Sequence, residues 1–237
     1  MFYILCMNIA TVVVFLLLFT RPLLASELNT SIDSLESAWA ATYYQSDEAQ
    51  QKQTYPMLQE KATDLVKRYP NAAEPKIWLA TIMATNAAFE SSLTALSTLE
   101  KAKSLLEEAI RINPQALEGT AYVTLGTLYY MLPGWPVSFG DDDTAEHLLK
   151  TSLKINPNGI DSNYFYADFL LRQGREAEAE TFFQKATQAP VRKQQAFADT
   201  QLQNEARLAL TNAQQRKSNA GKNKFQALFT TASIGSE

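Results

Sequence analysis

Cysteine is nearly absent from this sequence. Cys6 is the only one, and it lies inside an apolar N-terminal stretch. From Ser26 onward no disulfide can form within the chain, so packing alone must hold the folded part together. Histidine is equally scarce. His147 stands alone without a cysteine partner, whereas structural zinc takes four ligands and catalytic zinc three. The 8 glycines include no Gly-x-Ser-x-Gly and no phosphate-cradling loop, and no Cys–His pair can supply a nucleophile and its base. An enzyme is therefore not expected, nor is a metal or a cofactor. A basic surplus is missing too. The 21 Lys and Arg face 25 Asp and Glu, for a net charge of −4, which gives no general attraction for nucleic acid.

What is present begins with an apolar segment. Residues 2–20 are apolar apart from Asn8, Thr11 and Thr20, and Leu23-Leu24-Ala25 leads to a polar chain at Ser26. Residues 1–25 read as a secretory signal cleaved near Ala25. The other reading is an uncleaved single-span anchor, since the stretch approaches the ~20 residues a span needs. No small residues precede Cys6 as a lipoprotein signal would require. Export without disulfides suits a Gram-negative periplasm, with inner-membrane anchoring facing the periplasm as the alternative.

Downstream, one phrase recurs. Residues 105–114 read LLEEAIRINP and residues 148–157 read LLKTSLKINP. Looser copies end at Tyr69-Pro70 and Ala189-Pro190. Proline cannot continue a helix and disfavours helical geometry in the residue before it, so each X-Pro marks a helix end. Pro70 and Pro114 are 44 residues apart, Pro114 and Pro157 are 43, and Pro157 and Pro190 are 33. Helix–turn–helix units of about 34 residues produce such a period. Small residues recur where paired helices must approach closely: Ala80 and Ala102, Gly126 and Ala145, Ala167 and Ala179, with Gly174 at a turn.

The excess length falls between the helices of two hairpins. The stretch around Phe89–Thr98 has no Pro or Gly and can lengthen its helices, whereas Pro133–Gly140 must be a stiff loop. Ile32–Tyr44 and Met57–Lys67 form a divergent first hairpin, with Leu35, Trp39 and Tyr43 at helical spacing. Ala196–Gln214 reads as a polar capping helix and 216–237 as a flexible tail. The expectation is an all-α solenoid over 26–215, with three to four hairpins plus the cap.

These features resemble the tetratricopeptide repeat (TPR). The order Ala167, Leu170, Gly174, Ala179, Phe183, Ala186, Pro190 follows its pattern. The stretch from Leu128 to Leu171, with its PGWPVSFGDDD insert, is similar to exported bacterial TPR proteins related to the T component of some TRAP transporters. That resemblance implies a periplasmic solenoid that binds a protein partner, self-associates into a ring, or works with a solute-binding protein on a small organic ligand.

Helical projection places Ile77, Thr81, Val123, Thr127, Tyr130, Tyr164, Asp168 and Arg172 on the concave face, a surface suited to a peptide, a protein loop or a small organic acid. Asp168 and Arg172, spaced i, i+4, can equally pair with each other. Trp135 and Phe139 either plug a gap between hairpins or form exposed anchors for a partner. Asp141-Asp142-Asp143 is either a cation site or, more simply, an N-terminal cap for the next helix. His147 falls on the outer face.

Overall fold

The computed structural model describes residues 26–214; the N-terminal segment 1–25 and the tail expected over 216–237 lie outside that range. Among the described residues there are nine α-helices and no strand. They are α1 (26–45), α2 (Glu48–Arg68), α3 (Glu74–Asn86), α4 (Ser92–Ile112), α5 (Thr120–Met131), α6 (Asp142–Ile155), α7 (Ile160–Arg172), α8 (Glu176–Gln188) and α9 (Ala196–Gln214). The helices pair as four hairpins, and α9 packs on α8 and α7 as the cap. None of these helices is long and apolar enough to cross a membrane.

The repeated prolines terminate helices as expected. Tyr69, Asn113, Asn156 and Ala189 are the C-caps of α2, α4, α6 and α8. Pro114 and Pro157 come next, where a missing N–H removes nothing the helix needs. Pro56 does not follow this rule, because it sits inside α2. That helix starts well before it. Asp47 accepts from the Gln50 backbone N–H, and the Gln50 side chain accepts from the Asp47 N–H, a capping box that satisfies two free donors at once. Gln51 then closes the α1–α2 turn by donating its amide to the carbonyls of Thr42, Tyr43 and Ser46.

The small residues sit where helices touch. Ala80, Ala102, Ala145 and Ala167 are fully buried, and Ala179 nearly so. Gly174 takes a left-handed φ of 71° at the α7–α8 turn, a conformation glycine adopts without a side-chain penalty. At Gly126 an added Cβ would lie 2.9 Å from Leu149 Cγ, and Leu149 is itself completely buried. Gly126→Leu is expected to destabilise by at least about 1–3 kcal/mol through overpacking. Thermal unfolding followed by circular dichroism reads it; an unchanged melting temperature would show that the α5–α6 contact is loose.

The enlarged hairpins differ from each other. The segment from Ala87 makes one 3₁₀ turn, and the rest of the extra length extends α4 to 21 residues, against 14 in α6 and 13 in α8. The Pro133–Gly140 segment forms an irregular loop. Its ends are tied by backbone hydrogen bonds from Gly140 N–H to Pro133 and from Asp141 N–H to Tyr129.

Candidate binding groove

The first helices of the hairpins, α1, α3, α5 and α7, line the inner side of the curl. The curl nearly closes on itself. Gln195 Nε2 donates to Glu36 Oε2 at 2.6 Å across 159 residues of sequence, and the Tyr44 and Phe197 rings meet edge-on with centroids 6.0 Å apart. Between the joined ends lies a cavity of about 120 Å³. Its walls come from α1 (Glu36, Trp39, Tyr43, Tyr44), α3 (Trp78, Thr81), α5 (Thr120, Val123, Thr124, Thr127), α7 (Asp161, Phe165) and the C-terminal cap (Arg192, Gln195, Leu202, Glu205), together with Leu117.

Aromatic rings dominate the α1 side. Trp39 stacks on Tyr43 at 5.1 Å and leans on Trp78 at 5.7 Å, and its indole N–H donates to Thr85 Oγ1 at 3.2 Å. Opposite them is a charged cluster. Arg192 reaches Asp161 Oδ2 at 3.0 Å, bonds both carboxylate oxygens of Asp199, and donates its backbone N–H to Asp199 Oδ2 at 2.7 Å. Asp199 is 1% exposed and Glu36 5%. Burial, the largest influence, pushes the Glu36 carboxyl up to about 8. Asp161 and Asp199 add to the rise, while Arg192 and the Gln195 hydrogen bond oppose it. Burial likewise holds the Tyr44 hydroxyl well above the ordinary tyrosine range.

The projected concave residues separate into two sets. Thr81, Val123 and Thr127 do line the cavity, although the Thr127 hydroxyl is already donated to the Val123 carbonyl of its own helix. Tyr130, Tyr164 and Asp168 are buried in packing between repeats instead. Tyr130 donates to Asp168 Oδ2 at 2.7 Å, and Tyr164 donates to Glu205 Oε2 at 3.0 Å. For Tyr164 the cause is α9, which packs against α7, whereas Tyr130 and Asp168 are buried together between α5 and α7. Arg172 pairs with Asp168 at 3.7 Å and lies over the Tyr130 ring at 5.3 Å, so the i, i+4 pairing is realised. Ile77 is completely buried in the core.

The loop aromatics also part company. Phe139 folds against Tyr129 with ring centroids 5.2 Å apart and carries Lys103 over its face. Trp135 stands 89% exposed, with Val137 exposed beside it. Asp141 is the N-cap of α6 and accepts from the Thr144 N–H at 2.7 Å; the Thr144 side chain, then this backbone N–H, lower its pKa. Asp142 and Asp143 occupy the first turn, where negative charge meets the helix dipole. His147 is exposed on α6. Among the described residues no group of three or more His, Cys, Asp or Glu is placed to hold a metal ion.

Sequence reasoning missed Glu36, Tyr44, Arg192, Gln195 and Asp199. No local motif marks them; the signal was polar residues on otherwise apolar helix faces in the first and last elements.

Comparison with known proteins agrees with the geometry. A tetratricopeptide repeat model matches residues 138–197. No curated protein matches the chain. The fold is similar to the crystal structure of a thermophilic TPR protein of Thermus thermophilus, with a TM-score of 0.53 and 22% identity over 67% of this chain and 72% of that one. The architecture is thus an all-helical solenoid of the TPR type.

Proposed function

We propose that this protein is a non-enzymatic scaffold of the periplasm that engages a protein partner along the inner face of its helical curl. The groove carries this reading: four successive hairpins present their first helices to one surface, mixed in aromatic and polar character, as recognition surfaces are. Export is supported by the apolar segment at residues 2–20 and by the absence of cysteine beyond Cys6. The exposed Trp135 extends the contact surface on the loop side.

Site-specific photocrosslinking tests the groove. A photoreactive residue at Thr120 or Thr124 is expected to trap one defined periplasmic protein, while the same residue at exposed Glu100 on α4 traps none. Equal crosslinking from Glu100, or none from the groove, would refute the assignment.

A second reading is favoured by the closure of the groove onto a small cavity: an accessory protein that handles a small organic ligand together with a solute-binding protein, as in TRAP systems. TRAP permease genes beside this one would support it, and their absence would remove it.

A further inference from the structure

The cavity between the joined ends combines aromatic walls with an excess of carboxyl groups. Trp39, Tyr43, Tyr44, Trp78 and Phe165 contribute to its lining, and the first four rings are linked by successive contacts. Among the described residues the only cation in the lining is Arg192, and it is engaged by Asp161 and Asp199. Asp161 and Asp199 therefore share one guanidinium, whose charge also acts on nearby Glu36. An anionic ligand entering here would face Glu36 and Asp161 and would have to draw Arg192 from two carboxylates. A cation meets the opposite situation: the faces of tryptophan and tyrosine attract it, most strongly where water is excluded, and a carboxylate is at hand.

We propose that this cavity binds a small organic cation, an alkyl- or quaternary ammonium ion, cradled by the α1 and α3 aromatic rings with Glu36 as its counter-charge. The site stands whether or not a protein docks on the groove. Size agrees, because about 120 Å³ suits a compact ligand. A pH signature follows from the surroundings of Glu36. It faces Gln195 and Arg192 from the segment before α9, Asp199 from α9 and Asp161 from α7, and Glu205 of α9 shares the cavity with it. With its carboxyl pushed up to about 8 by burial, Glu36 sheds its proton as the cation enters, so affinity rises with pH through that range.

Tryptophan fluorescence reads binding directly, because two of the 3 tryptophans, Trp39 and Trp78, line the cavity. The full chain carrying Trp135→Phe would be titrated at about pH 9 with choline and with tetramethylammonium. Parallel titrations would use dimethylbutanol, the uncharged carbon isostere of choline, and succinate. Saturable change with a cation is expected, with the isostere at least roughly tenfold weaker and succinate inert. Glu36→Gln keeps a polar partner for Gln195 and is expected to weaken the cation at least roughly tenfold while removing the rise of affinity with pH; its melting curve controls for folding. Equal binding of the isostere, preference for succinate, or no saturation with either cation would overturn the proposal.

Discussion

Replacing Arg192 with methionine is expected to lower the unfolding free energy by about 3–5 kcal/mol, because it strands a buried carboxylate. Asp199 is 1% exposed, and both of its oxygens are bonded to the Arg192 side chain. Methionine keeps much of the stem's packing but none of the charge. Asp199 would retain the backbone N–H at 2.7 Å, with the carboxylate of Asp161 and the carboxyl of Glu36 still nearby. Arg192→Lys is expected to recover only part of the loss, since an ammonium cannot reproduce the forked contact to two carboxylates. Arg192→Met combined with Asp199→Asn should restore much of it by removing the stranded charge. Urea unfolding followed by circular dichroism checks the series. A loss below about 1 kcal/mol for Arg192→Met would place the pair among ordinary surface ion pairs.

The second large effect is a loss of stability as pH rises from about 5 to about 8. The Glu36 carboxyl titrates at 4.5 in its reference state and is pushed up to about 8 in the fold. Between those values the folded chain holds a proton that the unfolded chain has released. The stabilisation is full below the lower value and disappears as pH passes through the upper one. Its size is on the order of a few kcal/mol. Glu146 behaves in the opposite sense. Lys150, then Arg175, hold its carboxyl down at about 2, so its contribution is present above 4.5 and is lost only in strong acid. The two windows do not overlap. Glu36→Gln is therefore expected to flatten the profile between about pH 5 and 8 and leave the acid limb in place. Chemical denaturation at a series of pH values separates the cases, and a profile unchanged by the substitution would assign the effect elsewhere.

The local features of this fold are legible in the sequence because their causes are local. Asn113-Pro114 and Asn156-Pro157 end helices through the proline ring itself, and Ala167 or Gly126 is small because another helix lies against it. Pro56 misleads for the same reason. The ring says only that its own N–H is missing, while the capping box at Asp47 and Gln50 decides where α2 starts. The groove is less legible. Projecting from Ala80 and Gly126 puts Thr81, Val123 and Thr127 on the side that lines the cavity. It cannot show that α9 will cover Tyr164 or that Tyr130 will bond Asp168 on the neighbouring repeat. The polar cluster is out of reach altogether, since Glu36 and Gln195 become neighbours only after every hairpin has added its turn to the curl.

The Glu36–Gln195 contact also constrains how the array can change over time. A linear stack of repeats gains or loses a hairpin at little cost, because each unit meets only the next. Here the first helix and the terminal cap are latched to each other, so the number of hairpins is tied to the pitch of the curl. Inserting or deleting one would carry Gln195 away from Glu36 and open the chamber between them. The repeat number is a closure condition, and the chain behaves less like a spring of arbitrary length than like a ring with a clasp.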